Sequence, residues 1–244
     1  MKVALSMCAK AMDMTNEKMT VIANNLANVN TVGFKKDITY VNSFANKLLS
    51  NINQMQSPEV PGELNVVTDF KQGNFRFTGD KLNIALDGEG FIKVKLPSGQ
   101  LAYTRKGMMT LNKDKQLCIG DAKVMTERGP IMLKSNDIAI DDKGNIYDNT
   151  GDLVATIATA DFEKPYKLSK AGSTMFVMDG NMREIPVKAE FKQQYLEESN
   201  VDALSSMVEM ISMMEAMRNY ETQQKLVQMH DEATGKMITQ ITQG

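Results

Sequence analysis

The chain has 244 residues, a formal net charge of -2 and a pI near 5.6, so it lacks the positive excess typical of nucleic-acid-binding proteins. With 42% hydrophobic and 24% charged residues, it has the composition of a globular protein of one large or two smaller domains. Two cysteines, Cys8 and Cys118, are too few for a disulfide framework or a four-ligand zinc site, and we expect both to be buried thiols.

The first 32 residues are predicted to form one long helix. Apolar residues recur at alternating steps of four and three, the heptad pattern of a helix packed along its length against other helices. The positions are Met1, Leu5, Cys8, Met12, Thr15, Met19, Ile22, Leu26 and Val29, of which only Thr15 is polar. The same pattern also allows an amphipathic helix lying on a globular core.

No cleaved signal peptide is expected at this N-terminus, because Lys10 and Asp13 interrupt the apolar run that such a signal requires. No window reaches the roughly 20 apolar residues of a membrane span, so we expect no membrane insertion. From composition alone the chain would be placed in the cytosol.

The stretch NNLANVNTVGFKKD at 24–37 is predicted to end the helix in a turn. Asparagine tolerates the left-handed region and hydrogen-bonds to nearby backbone, and Gly33 allows a positive φ. Phe34 is expected to anchor the turn by burial.

The centre of the chain changes to a period of two, as in FIKVKL at 91–96, with turn signals at short intervals. This pattern predicts an antiparallel sheet, sandwich or open barrel. Gly88-Glu89-Gly90 is interpreted as a hairpin turn, and DDKGNIYDN at 141–149 as a turn instead of a calcium loop, because Lys143 occupies a ligand position.

The C-terminal segment is predicted to be a second helix of some forty residues. Its apolar stripe begins at Val201, Leu204, Val208 and Ile211 and is broadened by Met207, Met214 and Met217; the expected assembly seam is Leu204, Val208, Ile211 and Met214. Ser199 or Asn200 is the predicted N-cap, with Asp202 on the first turn. His230, the only histidine, lies on this helix without a recognisable catalytic partner. We therefore predict no enzyme activity, no metal and no cofactor.

Four sequence blocks resemble bacterial flagellar axial proteins, the rod and hook family. They are IANNLANVNTVGFKK at 22–36, LNIALDGEGFIKV at 82–94, LAYTRKGMMTLNKDKQL at 101–117 and YLEESNVD at 195–202. The motif positions are Asn25, Leu26, Asn28, Thr31, Gly33 and Phe34 in the first block, and Ser199, Asn200, Val201 and Asp202 in the last. Departures at Ile92, Met109, Met217 and Asn219 affect the subtype more than the family.

The resemblance implies an α+β protein whose long N- and C-terminal helices form a discontinuous coiled-coil domain beside a central, mostly antiparallel β domain. The expected divisions are an N-terminal helix at 1–32, a connector at 33–70, a β domain at 71–190 and a C-terminal helix at 191–244. Both helices would join the tube around an export channel.

The function implied is that of a self-assembling rod subunit that transmits torque across the periplasm. Its partners would be copies of itself, other rod and hook proteins, the flagellar type III export apparatus and surrounding ring proteins. Export without a cleaved signal would replace the cytosolic assignment. The short central region favours a proximal rod protein slightly over a distal one.

Two other classes remain open at this point. A secreted adhesin or capping module could use the same helical ends, and it would differ by forming a closed ring instead of a helical tube. An enzyme built on the β core would require a concave pocket with perturbed titratable groups.

Overall fold

A computed structural model of the chain describes residues 2–41, 64–133, 135, 137–180, 182–186 and 189–242. Within this part, α1 (Lys2–Ala27) and α2 (Ala203–Thr242) flank a series of strands. The strands are β1 (Asp37–Val41), β2 (Leu64–Thr68), β3 (Phe75–Phe77), β4 (Ile84–Asp87), β5 (Phe91–Lys95), β6 (Leu101–Thr104), β7 (Thr110–Leu111), β8 (Leu117–Ile119), β9 (Ala122–Val124), β10 (Ile138–Ile140), β11 (Asn145–Asp148), β12 (Leu153–Thr156), β13 (Thr159–Ala160), β14 (Leu168–Lys170), β15 (Met175–Met178), β16 (Glu190–Gln193) and β17 (Tyr195–Glu197). Neither helix, as far as it is described, is long and apolar enough to cross a membrane.

The chain divides into two compact units that alternate along the sequence. Unit 1 comprises Met1–Ala27, Lys36–Asp69 and Asp202–Gly244, and unit 2 comprises Asn28–Lys35 and Phe70–Val201. The chain therefore passes from one unit to the other four times.

Unit 1 contains the two helices, which pack against each other, and a hairpin of β1 and β2 that contacts α1. The hairpin is antiparallel, with Asp37 opposite Thr68 and Val41 opposite Leu64. Its strands, DITYV and LNVVT, are rich in the β-branched residues that fit a pleated surface. The connector expected at 33–70 thus contributes two strands, and its residues 42–63 lie outside the described part.

Unit 2 is built from β-sheet. Its largest sheet has eight strands in the order β14-β15-β6-β5-β9-β8-β7, with β13 paired to β5, and a second sheet contains β10, β11 and β12. Two further pairs, β16 with β4 and β17 with β3, join residues 190–197 to residues 75–87, and both are antiparallel. Strands from the end of unit 2 therefore complete sheets begun near its start.

Two apolar clusters fill unit 2. The larger is aliphatic and includes Ile84, Val94 and Leu117, and Met109 is buried in it where the family resemblance would place phenylalanine. The smaller is aromatic, with Tyr103 and Phe162 in edge contact at 4.8 Å between ring centroids. Phe70 and Tyr166 cover this aromatic cluster.

Two turn predictions have different outcomes. Residues 141–144 connect the paired strands β10 and β11, and the Asp141 carboxylate accepts bonds from the backbone N–H groups of Lys143 and Asn145. The turn predicted at 141–149 is therefore confirmed for its first four residues, whereas Asn145–Asp148 forms β11. Gly88 and Gly90, at φ of 108° and 117°, also form a turn. However, they connect β4 and β5, which pair with other strands, so the prediction of a hairpin there is wrong.

The predicted coiled-coil domain is also wrong. The described residues contain two helices of 26 and 40 residues, and the stripe expected to form a seam on α2 is not buried between them. Leu204, Val208 and Ile211 are 73%, 56% and 54% exposed. A coiled-coil seam buries such residues as knobs in the holes of the facing helix, so this packing is absent between α1 and α2.

Candidate functional site: a buried junction and an exposed helix face

A tight turn follows α1, and its geometry requires glycine at position 33. Gly33 has a φ of 68°, and its N–H donates to the Glu197 carbonyl oxygen at 2.8 Å. A Cβ atom on Gly33 would lie 2.4 Å from the backbone nitrogen of Lys106. The left-handed asparagines expected here are not found, because the non-glycine residues at positive φ in the described part are Lys115 and Gln194.

Asn25 instead acts through its side-chain amide, from within the last turns of α1. The amide pairs with both backbone groups of Asp37: Asn25 Oδ1 accepts from the Asp37 N–H at 2.9 Å, and Nδ2 donates to the Asp37 carbonyl at 2.8 Å. Nδ2 also lies 3.2 Å from a carboxylate oxygen of Glu209 on α2. One buried amide thus links α1, the start of β1 and α2 within unit 1. In the turn itself, the Thr31 hydroxyl donates to the side-chain oxygen of Asn28 at 3.1 Å.

Phe34 and Lys35, the next residues, are both fully buried in unit 2. The Lys170 ammonium lies 4.6 Å from the centroid of the Phe34 ring and donates to the Lys35 carbonyl at 2.8 Å. The sequence-based prediction that Phe34 is buried is confirmed, and its role as an anchor of the turn stays a prediction.

A buried ionic cluster, here called the junction, consists of Lys35, Arg105 and Glu197. The Lys35 ammonium lies 2.6 Å from Glu197 Oε1, and both side chains have 0% exposure. Arg105 Nη1 lies 3.4 Å from Glu197 Oε2. The Gly73 N–H donates to Glu197 Oε1 at 3.0 Å, so this single carboxylate is bound by three separate segments of unit 2.

The junction has two cations for one carboxylate, and backbone oxygens compensate for the difference. Lys35 donates to the carbonyl of Lys71 at 2.6 Å, and Arg105 donates to the carbonyls of Leu86 and Gly88 at 3.0 and 2.6 Å. Burying charges is unfavourable unless each is paired and hydrogen-bonded, and this cluster meets that condition for nearly all of its polar atoms. Arg105 Nε is the exception: it has no hydrogen-bond partner among the described residues.

The C-terminal motif continues the junction and then starts α2. The Asn200 N–H donates to the Phe34 carbonyl at 3.3 Å, Ser199 Oγ accepts from the Val201 N–H at 3.2 Å, and Val201 is buried. Asp202 Oδ1 accepts from the Ser205 N–H at 2.5 Å. Asp202 is therefore the N-cap, and the prediction of Ser199 or Asn200 for that role is wrong. Hydrogen bonds from Ser205 hold the pKa of the Asp202 carboxyl below its ordinary value.

The predicted seam on α1 is partly enclosed in the single chain. Ile22 is buried, and the remaining described members are half-buried: Met12, Met19, Leu26 and, just beyond the helix, Val29. The side chains of Leu5 and Cys8 lie outside the described part. Cys118 is buried, as predicted for that thiol.

The two sides of α2 differ in chemistry. The side towards α1 is mixed: Glu209, Ser212, Met213, Ala216, Tyr220 and Gln223 recur at heptad-like spacing and are buried or half-buried. The opposite side, here called the exposed apolar face, consists of Leu204, Met207, Val208, Met210, Ile211, Met214 and Met217. Among these are all four predicted α2 seam residues, and each of them is at least 46% exposed.

Sequence reasoning missed Lys35, Arg105, Glu197 and Glu209. The first three lie inside the quoted blocks, as GFKK, YTRKG and LEESNVD, so the blocks held the signal. A charge in an otherwise apolar or glycine-containing motif does not reveal its partner, because the three positions are far apart in sequence.

One further polar group lies at the edge of the aromatic cluster. The Tyr103 hydroxyl donates to Glu184 Oε1 at 2.7 Å, and the Lys93 ammonium donates to Oε2 at 2.8 Å. Burial opposes ionisation of Glu184, but the bonds from Lys93 and Tyr103 outweigh it and hold the pKa of the carboxyl below its ordinary value. Burial, together with Glu184, raises the pKa of Tyr103 above its ordinary value. Burial and this hydrogen-bonded ion pair together account for both shifts.

Comparison with protein families gives three matches, in chain order. Residues 8–35 match the model described as flagella basal body rod protein, residues 85–148 the flagellar hook protein FlgE/F/G D1 domain, and residues 192–241 the flagellar basal body rod FlgEFG protein C-terminal model. Between them, the matched segments contain the three residues of the junction.

Curated relatives match along almost the whole chain. The flagellar basal-body rod protein FlgG of Agrobacterium fabrum is 29% identical over 253 aligned residues, covering 94% of this chain and 95% of the relative. FlgG of Bacillus subtilis is 28% identical, with 91% and 92% covered, and FlgF of Escherichia coli is 27% identical, with 93% of each covered. The order of the three family matches and the length of these alignments agree with the quoted sequence blocks. The chain belongs to the bacterial flagellar rod and hook family, among its basal-body rod proteins.

Proposed function

We propose that this rod subunit assembles with copies of itself and with other axial proteins through the exposed apolar face of α2. The observation that carries the proposal is the exposure of seven large apolar side chains over the first four turns of one helix. A contiguous apolar surface of this kind on a chain with an ordinary polar composition is typical of a protein-binding site.

The division of polar and apolar residues on α2 supports an intermolecular role. Its side towards α1 holds Met213 and Tyr220 beside a serine, an alanine and the hydrogen-bonded Glu209, so part of the apolar surface of the helix is already enclosed within the chain. The seven residues of the exposed apolar face are left for another surface. Burying them against a partner would contribute roughly 25 cal/mol for each Å² of apolar surface removed from water.

The junction supports a mechanical role in such an assembly. Segments 28–35 and 195–201 run directly into the two helices, and both segments are fixed in unit 2 by Lys35, Glu197 and their partners. Force arriving along either helix backbone would reach a buried, fully packed cluster. We infer that torque is carried through these connections, and that the protein acts without catalysis, metal or cofactor.

Several finer points belong to the same proposal. The subunit would be exported by the flagellar type III apparatus without a cleaved signal and would lie in the periplasmic part of the basal body, within reach of ring proteins. The helical chain ends would make the contacts of the assembly, and the central β-rich part of the chain would not be needed for them. Relatives of both the FlgG and FlgF types match, and the slight preference for a proximal position remains a prediction.

The test introduces two charges into the exposed apolar face. We expect Val208→Glu with Ile211→Glu to weaken self-association by about 3 kcal/mol, roughly a hundredfold, because each charge would be buried without a partner. Sedimentation equilibrium across protein concentration measures the association. Motility of a strain in which the variant replaces the native gene provides the cellular readout.

The matched control is Gln224→Glu with Gln228→Glu, which adds the same two charges at exposed polar positions of the same helix. It should associate as the native chain does and support motility. The proposal would be wrong if the face variant associated normally, or if both variants failed equally.

A further inference from the structure

Four methionines form one stripe on the exposed apolar face. Met207, Met210, Met214 and Met217 are spaced so that they project from one side of α2, next to the aliphatic residues of the face. They are 64%, 45%, 46% and 46% exposed. Buried methionine, as at Met109 with 2% exposure, is shielded from solvent oxidants, whereas these four thioethers are open to them.

The chemistry of such a stripe is two-electron oxidation by a peroxide. The sulfur lone pair attacks one oxygen of hydrogen peroxide, an S–O bond forms, the O–O bond breaks, and the second oxygen leaves as water after proton transfer. The sulfur is oxidised to the sulfoxide while the peroxide is reduced. A flexible apolar side chain becomes polar, and methionine sulfoxide reductases reverse the change.

We propose that the Met207, Met210, Met214 and Met217 stripe is a reversible oxidation site that prevents association of the chain while it is oxidised. The inference rests on the proposed role of the exposed apolar face in assembly. Four of the seven residues of that face are methionine, so oxidation would turn most of an apolar surface into sulfoxides that keep their bonds to water. Once a partner covers the stripe, the sulfurs are no longer accessible, so the free chain is the sensitive form.

The test measures self-association of the full chain before and after treatment with hydrogen peroxide, with peptide mapping by mass spectrometry to locate each sulfoxide. We expect the concentration at half-association to rise at least about tenfold after oxidation, and to return after treatment with methionine sulfoxide reductases A and B. A fourfold variant, M207L/M210L/M214L/M217L, should associate and be indifferent to peroxide.

The matched control is M108L/M132L, which removes two methionines of unit 2 that are 42% and 60% exposed. Association of this variant should remain as sensitive to peroxide as that of the native chain. If the fourfold variant folds poorly, a peroxide titration of the native chain replaces it. Loss of association should then follow sulfoxide formation at the four positions.

Normal association of the oxidised native chain would overturn the oxidation site and leave the proposed function intact. Peroxide sensitivity in the fourfold variant, or loss of association before the stripe is oxidised, would also overturn it. If the reduced native chain stayed monomeric at every concentration, the proposed function itself would fail and this inference with it.

Discussion

The junction and the exposed apolar face of α2 reverse the usual distribution of residues in a globular protein. Unit 2 buries a lysine, an arginine and a glutamate completely or nearly so, whereas unit 1 leaves leucine, isoleucine, valine and methionine in water. The buried charges have partners inside the unit. Among the residues that the structure describes, the apolar face of α2 stays 45% to 73% exposed, which is the expected condition of a surface completed by another subunit.

This difference separates two sources of stability. The junction stabilises a unit that is complete in one chain, because every segment that binds Glu197 belongs to unit 2. The apolar face of α2 contributes little until it is covered. Substitutions in the junction should therefore change folding, and substitutions on α2 should change association. The following predictions test that separation, from the largest expected effect to the smallest.

Gly107→Ala should destabilise unit 2 by about 5 kcal/mol, at the exceptional end of single substitutions. A Cβ atom at this position would lie 1.6 Å from the Ile84 carbonyl oxygen, and backbone would have to move. Urea unfolding followed by near-UV circular dichroism measures the loss. Four of the six tyrosines lie in unit 2 and the chain has no tryptophan, so this signal reports mainly on that unit.

The control for this change is Gly120→Ala, where a Cβ atom meets nothing within 4 Å but φ is 60°. It should cost about 1 kcal/mol from backbone strain alone. Equal losses at the two glycines would show that the close approach of backbone at Gly107 is unimportant.

Glu197→Ala should destabilise unit 2 by about 4 kcal/mol, because it leaves Lys35 and Arg105 buried without their carboxylate. The neighbouring Glu198→Ala removes only a surface pair with Arg76 and should cost less than about 1 kcal/mol. The same urea titration measures both. If the two alanine variants were equally stable, the junction would not be a determinant of the fold.

Asn25→Ala should destabilise unit 1 by about 2 kcal/mol, since the backbone N–H and carbonyl of Asp37 would both lose a partner. Far-UV circular dichroism at the helix wavelength measures this loss. The exposed Asn16→Ala on the same helix should stay within about 0.5 kcal/mol of the native chain. A near-UV transition that moved as far as the far-UV one would break the separation between the units.

Glu184→Gln should have the smallest effect, about 1 kcal/mol or less at neutral pH, because the pair with Lys93 is partly solvent-exposed. The folded-state pKa of Glu184 lies below its ordinary value, so its contribution is full above about pH 4.3 and is lost as pH falls through the lowered value. The stability difference between native chain and variant should therefore shrink on acidification. A difference that grew at low pH would contradict the assignment, and the exposed Glu163→Gln provides the control.

Comparison of prediction with structure shows which kinds of signal are local. The helical ends, the β-rich centre, the turn at 141–144 and the positive φ of Gly33 depend on neighbouring residues, and the sequence indicated each of them. The close approach of the Lys106 backbone to Gly33 is a long-range contact that the sequence did not indicate. The N-cap was misplaced by two or three residues because Ser199, Asn200 and Asp202 are all good caps. Only the backbone position of Ala203 as the first helical residue decides among them.

The coiled-coil prediction failed for a different reason. Heptad spacing identifies which residues share a side of a helix, but it does not identify what faces that side. On α2 the side towards α1 is a mixed one, where Glu209 meets the amide of Asn25 and Met213 is half-buried. The sequence indicated which residues form the apolar stripe, but the expectation that this stripe is buried in a coiled-coil seam with α1 is wrong.

The sequence by itself therefore determined the elements, the family and the absence of an obvious catalytic motif, because periodicity, turn chemistry and the four motif blocks are properties of short segments. Only the tertiary structure decided that Lys35, Arg105 and Glu197 meet, and that α2 presents its apolar side to solvent. Both depend on contacts between residues far apart in the chain. The physical reason is that the type of a charged or apolar side chain does not specify which distant residue it contacts after folding.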